Sequence, residues 1–265
     1  MMTDQTKYSN KLRNNCVLII GGSGGIGYGV AEACLELGCT VIISSASASR
    51  IAASISSLQE AYPSARSRIS GHACDLGNPE TLDSNIVSLF EKAVQEADGQ
   101  LDHVIYTAGD ALSISPLEKA TLEKIQQAGM VRFNAPLIVA REAAKYLKKS
   151  NTSSYTITTG SVSEKPHQGW VIVGCYAGGN HTMARGLALD MKPIRVNAVS
   201  PGAVDTTLWK MPDQEKQEAF REWEAKMATG RVGQVEDVAE AYLYCMKDRN
   251  LTGSVISTNG GALLV

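Results

Sequence analysis

Val17-Leu18-Ile19-Ile20-Gly21-Gly22-Ser23-Gly24-Gly25-Ile26-Gly27 is the stretch on which the reading of this chain turns. Four apolar, mostly β-branched residues make a short buried strand. A glycine turn follows, and Val30, Ala31, Cys34, Leu35 and Leu37 then recur at helical spacing over Gly25–Leu37. A strand that opens through glycines into a helix aims unpaired N–H groups, at the positive end of the helix dipole, toward a pyrophosphate. The expectation is a dinucleotide turn formed by Gly21, Ser23, Gly25, Ile26 and Gly27.

Outward from that turn, strand and helix signals alternate. Strands are predicted at Val17–Ile20, Val41–Ser44, Arg68–Ala73, His103–Tyr106, Tyr155–Thr158, Ile194–Ala198 and Ser254–Ser257. Further helices are predicted at Arg50–Ala61, Thr81–Ala97, Leu122–Leu147 (two pieces, or kinked at Pro136), Tyr176–Asp190, Gln214–Ala228 and Val235–Met246. Short apolar strands separated by helix-length segments argue for a parallel sheet covered on both faces. The predicted fold is α/β: one Rossmann-like, doubly wound parallel sheet of about seven strands with helices on both faces, a single domain over residues 1–265. Thr206–Gly230 interrupts the alternation with charged helical sequence carrying Trp209 and Trp223. It is expected to cover the carboxyl edge of the sheet, where ligands bind in such folds.

The net charge of −2 comes without a basic stripe, which argues against nucleic acid or an anionic membrane as partner. Met1–Asn15 is polar and Asn-rich, and no segment reaches 18 uninterrupted apolar residues, so neither a signal peptide nor a membrane span is expected. Cys16, Cys34, Cys39, Cys74, Cys175 and Cys245 are scattered, with no metal-ligand spacing. They read as reduced thiols of a cytoplasmic protein, with Cys16 and Cys34 in buried elements.

The motifs, in this order and spacing, resemble those of the short-chain dehydrogenase/reductase family over nearly the whole chain. The family's Thr-Gly-x-x-x-Gly-x-Gly turn falls on Ile20, Gly21, Gly25 and Gly27, with Ile20 in place of Thr. Cys74-Asp75-Leu76 matches the Asp that meets the adenine, and Thr107-Ala108-Gly109 matches Asn-Ala-Gly with the Asn replaced. Ile194-Arg195-Val196-Asn197 and Ser200-Pro201-Gly202 match the sixth strand and the turn under the nicotinamide, with Val204 and Thr206 beyond it. Gly253 and Gly260-Gly261 fit the last strand. The resemblance implies a nicotinamide cofactor and a homo-oligomer. Enzymes selective for NAD place a carboxylate at the end of the second strand. This chain has Ser44-Ser45-Ala46-Ser47-Ala48-Ser49-Arg50 there, and no carboxylate before Glu60. Ser45, Ser47 and Arg50 suit a 2′-phosphate, since Arg offers a charge-assisted fork of donors, so NADP(H) is expected.

The family's acid is missing. No Tyr in the chain is followed four residues later by Lys. Two registers compete. One keeps Tyr176 and replaces the Lys by Asn180; the other places Val173 and Ala177 at the two positions. The second keeps Leu187-Ala188-Leu189-Asp190 in step and is preferred. The relay Asn is replaced by Arg132. The family's Ser falls within Thr158–Ser163, with Thr159 and Ser161 both open. Glu164-Lys165-Pro166-His167-Gln168-Gly169-Trp170 should form a loop over the substrate, Trp170 as an apolar wall and His167 as a side chain of the type that titrates near neutrality.

This Tyr-less pattern resembles a divergent branch that includes fungal NADPH-dependent reductase/Diels–Alderases of prenylated indole alkaloid biosynthesis. The resemblance implies a hydrophobic, polycyclic small-molecule substrate. An iminium carbon is already electrophilic and takes hydride without a proton donor. A cycloaddition likewise needs only a pocket that holds a near-attack geometry. Three functions therefore stand open: an NADPH-dependent reductase of an iminium or activated carbonyl, a non-redox cyclase retaining NADP, and a cofactor-binding sensor. In the first two, Arg132, His167, Trp170, Ser161 and Thr159 are the candidate working residues.

Overall fold

The computed structural model describes residues 5–265, so the first four residues of the polar start lie outside the described residues. Seven parallel strands form one sheet: β1 (Cys16–Ile20), β2 (Thr40–Ser45), β3 (Ile69–Ala73), β4 (His103–Tyr106), β5 (Ser154–Thr158), β6 (Arg195–Pro201) and β7 (Val255–Thr258). Their order across the sheet is β3-β2-β1-β4-β5-β6-β7. The chain runs outward from β1 in one direction and then returns to start again at β4. The carboxyl ends of β1 and β4 therefore open a crevice at the switch point, the place where such sheets bind ligands.

The deciding strand is buried from both sides, with every residue of Val17–Ile20 at most 1% exposed. Its alternation sorts two cores. Leu18 and Ile20 pack with Phe90 of α3 (Leu82–Glu96), Val139 of α5 (Ala135–Tyr146) and Ala184 of α6 (Val171–Asp190). Val17 and Ile19 pack with Val30 of α1 (Gly25–Glu36), Leu58 of α2 (Ala48–Ala61) and Tyr242 of α8 (Val235–Lys247). Helices thus cover both faces, as the uninterrupted apolar runs require. α4 (Leu122–Gly129) precedes α5, and α7 (Asp213–Glu224) lies within the inserted segment. Cys16 and Cys34 are buried as expected, and Cys175 is exposed. No described helix is long and apolar enough to cross a membrane.

Two helices depart most from the sequence reading, and α7 ends at Glu224 rather than Ala228. The expected Leu122–Leu147 helix is broken, before Pro136, by a π-helical turn over Met130–Asn134. Pro136 has no N–H to give the Arg132 carbonyl four residues back; the Asn180 side-chain amide donates to that carbonyl at 3.0 Å instead. α6 begins at Val171 rather than Tyr176. Gly178 and Gly179 argue against helix by propensity, but Gly179 is where α6 meets Phe133: an added Cβ would lie 2.6 Å from its ring.

Candidate active site

The crevice is a cavity of about 1360 Å³. Its floor at the switch point is set by Gly21, whose φ of +96° an L side chain rarely adopts and whose added Cβ would lie 2.4 Å from the Ala108 nitrogen. The N–H groups of Ser23, Gly24 and Gly25 meet no backbone acceptor among the described residues. They belong to the uncapped start of α1, which leaves its first donors free. Such a cradle fits a pyrophosphate. Gly21, Ser23, Gly25 and Ile26 line the cavity. Gly27 does not; it stands where an added Cβ would lie 2.3 Å from the Gly21 carbonyl oxygen, so its place is close packing of α1 on the turn.

Ser45 and Arg50 line the next part of the cavity, and no carboxylate from β2 joins them. Ser47 is turned to local use: it caps α2, its hydroxyl accepting the Arg50 N–H at 3.3 Å. Asp75 and Leu76 line the cavity beyond β3. Asp75 Oδ1 accepts the Gly77 N–H at 2.9 Å. Ala108 and Gly109 enter from β4, and Pro201, Gly202, Val204 and Thr206 from β6. In place of the family's Asn, Thr107 donates to the Ile20 carbonyl at 3.2 Å and ties β4 to β1.

Arg132 comes from the π-helical turn, held from three sides. The Tyr106 hydroxyl donates to the Val131 carbonyl, the Tyr155 hydroxyl to the Pro136 carbonyl at 2.8 Å, and Asn180 to Arg132 itself. The guanidinium lies across Gly109, where an added Cβ would be 2.8 Å from Nη2. It pairs with Asp110, Nε to Oδ1 at 3.1 Å, and Nη2 donates to the Asp110 carbonyl. Burial lowers the guanidinium pKa, while Asp110 opposes the shift.

The hydroxyls at the exit of β5 separate by their bonds. Thr158 bonds the Tyr106 carbonyl and the Tyr242 hydroxyl, both at 2.7 Å. Thr159 donates to the Ala177 carbonyl at 2.7 Å. Ser163 bonds the Gly160 carbonyl and His181. Thr159 and Ser161 both line the cavity, but among the described residues only the Ser161 hydroxyl of the two is unengaged.

Both registers of the missing pair reach the cavity: Val173 and Ala177 as apolar wall, Tyr176 and Asn180 beside them. Tyr176 is already committed, its hydroxyl donating to the Ile125 carbonyl at 2.8 Å and its ring against Phe133 at 5.3 Å. His167 and Trp170 line the cavity as an edge-to-face pair with centroids 5.7 Å apart. The inserted segment contributes Thr206, Trp209, Trp223 and Met227, with the two indoles tilted 57° to each other at a centroid distance of 4.7 Å and Trp209 Nε1 donating to the Val204 carbonyl at 2.8 Å.

Sequence reasoning missed Asp110, Lys165 and the stretch after β7. Asp110 directly follows the recognised Ala108-Gly109, which is the one signal that pointed to it. Lys165 donates to the Ala262 carbonyl at 2.7 Å and to the Val265 main-chain oxygen, drawing Ala262 and Leu263 against the cavity. Nothing local in the sequence announces that contact.

Comparison with known proteins gives a consistent picture. The model of an SDR-like Rossmann domain matches residues 8–265. The chain is 46% identical, over 99% of its length and all of the relative's, to the short-chain dehydrogenase/reductase fsr5 of Gibberella fujikuroi. It is 39% identical to the short-chain dehydrogenase/reductase malC of Malbranchea aurantiaca, over 96% of each chain. The solved structure of that organism's MalC reductase/Diels–Alderase superposes with a TM-score of 0.92, covering 97% of this chain and all of MalC.

Proposed function

From the premise that the chain belongs to the short-chain dehydrogenase/reductase family, we propose that it is an NADPH-dependent reductase of an iminium or activated carbonyl intermediate in secondary metabolism. The observation that carries this reading is one cavity that keeps the pyrophosphate cradle and is lined by Val173 and Ala177, the two positions that the preferred register gives to the family's acid pair. When bound, a reduced nicotinamide supplies the hydride. The Ser23–Gly25 N–H groups hold the pyrophosphate, and Arg50 and Ser45 favour a 2′-phosphate. Ser161 offers its free hydroxyl to the reacting group, Trp170 and His167 wall the substrate, and the Thr206–Gly230 segment excludes water. An iminium that accepts hydride at carbon returns the C=N pair to nitrogen, so no proton has to be delivered.

A second activity, guidance of a cyclisation, is favoured by the resemblance to the MalC reductase/Diels–Alderase and by the indole-lined cavity. It draws on positioning alone. The same reading places the protein in the cytoplasm as a homo-oligomer.

The test is loss of nicotinamide absorbance when purified protein, NADPH and polycyclic iminium substrates are mixed. NADPH should be consumed and NADH spared, and Arg50→Ala should raise the KM for NADPH about tenfold or more, as loss of a charge-assisted bond does. Equal use of NADPH and NADH would overturn the cofactor assignment. No consumption with any iminium, alongside product cyclisation, would favour the non-redox alternative.

A further inference from the structure

Among the described residues, only two carboxylates, Asp75 and Asp110, line the cavity. Asp75 follows β3, three strands from β4 in the sheet order, a separation of about 14 Å at ordinary strand spacing. It is already turned onto the Gly77 N–H. Asp110 follows β4 and is bonded to Arg132, and the neighbouring strand β5 leads to Ser161, which lines the same cavity, as does Trp170.

Arg132 holds Asp110 at two points, the carboxylate Oδ1 and the main-chain carbonyl. Oδ2 has no partner among the described residues, and the side chain is 37% exposed. The remaining cationic side chains offer a positive substrate nothing. Lys165 is spent on the Ala262 and Val265 oxygens. Lys210 and Lys226, on the inserted segment, line the cavity and have no carboxylate partner among the described residues. A cation entering this cavity would meet repulsion there, and a compensating charge at Asp110 on the β4 side.

We propose that Asp110 is the substrate's counter-ion, its free Oδ2 facing the positively charged nitrogen while Arg132 fixes the carboxylate's orientation. This rests on the iminium reading above. It makes Arg132 a positioning residue for Asp110, and it explains how a fixed guanidinium can stand in a cavity that takes a cation: its charge is met by the carboxylate it orients.

The test is calorimetric binding to protein saturated with NADP+, which has no hydride to give. The probes are an N-methyldihydroisoquinolinium cation and the neutral dihydronaphthalene of the same shape. Unmodified protein should bind the cation more tightly. Asp110→Asn should weaken the cation about tenfold or more, with the neutral probe and NADP+ within about twofold, and Asp110→Glu should recover part of the loss. A matched loss for both probes would make Asp110 merely structural and overturn the proposal. So would unchanged cation binding, or unmodified protein preferring the neutral probe or an anionic naphthoate. Charge-selective binding without NADPH oxidation would leave the counter-ion standing and sink the reductase reading; turnover without charge selectivity would do the reverse.

Discussion

A hydroxyl is available for chemistry only if the fold has not already used it. Tyr176 is the residue a motif search would choose as acid, yet its proton goes to the Ile125 carbonyl. Tyr176→Phe should therefore leave kcat/KM within a few-fold, whereas removing a general acid costs about 10²–10⁴. Ser161→Ala should cost more than Thr159→Val, since Thr159 is bonded to the Ala177 carbonyl and Ser161 is free. Steady-state kinetics of the three variants would decide it, and a hundredfold loss in Tyr176→Phe would restore the other register. Most of the expected cofactor-side positions line the cavity, Gly27 and Ser47 excepted, because they belong to local motifs, a turn or a strand end. Asp110 and Lys165 were not legible, because their meaning depends on Arg132 and on Ala262, partners far along the chain.

At the scale of elements, strands were easier to read than helix boundaries. Strands buried on both faces announce themselves as apolar runs, and β4 matches its expected limits. α6 was read too short at its start, Tyr176 for Val171, because the β-branched run Val171-Ile172-Val173 follows Trp170 with no side-chain cap; its two adjacent glycines, Gly178 and Gly179, lie inside the expected helix. Their reasons differ. Nothing lies within 4 Å of a Cβ added at Gly178, while one at Gly179 would strike Phe133. Gly178→Ala should therefore stabilise the protein by up to about 1 kcal/mol through helix propensity. Gly179→Ala should destabilise it by about 1–2 kcal/mol as overpacking outweighs that gain. Urea midpoints of opposite sign are the expected result; two stabilising substitutions would mean that α6 does not press on the π-helical turn. That turn itself has no sequence signature beyond Pro136, since it depends on donors from β4, β5 and α6.

For the molecule as a whole, the buried histidine at the far end of the sheet sets a pH limit. His103 is fully buried between Asn15 and Ser154. The Asn15 amide donates to Nε2, which leaves Nδ1–H to donate to Ser154. Burial, with lesser repulsion from Arg195, lowers its pKa from 6.5 to about 3. The unfolded chain thus takes up this proton first as pH falls. The stability contribution is full above pH 6.5 and is lost between 6.5 and about 3, at up to about 1.4 kcal/mol per pH unit. His103→Gln should flatten that part of the stability–pH curve, measured by denaturation at stepped pH; an unchanged slope would assign the acid sensitivity elsewhere. The overall architecture was legible because alternation and strand burial are global patterns; the chemistry was less so because it resides in a few long-range contacts. One of those patterns has an optical consequence. All three tryptophans of the chain, Trp170, Trp209 and Trp223, border the same cavity. Emission excited at the red edge of the indole band, where tyrosine does not absorb, therefore originates wholly at the cavity wall. A reduced nicotinamide absorbs where indole emits, so its arrival would quench that light by energy transfer, and the native chain would report its own occupancy without any attached dye.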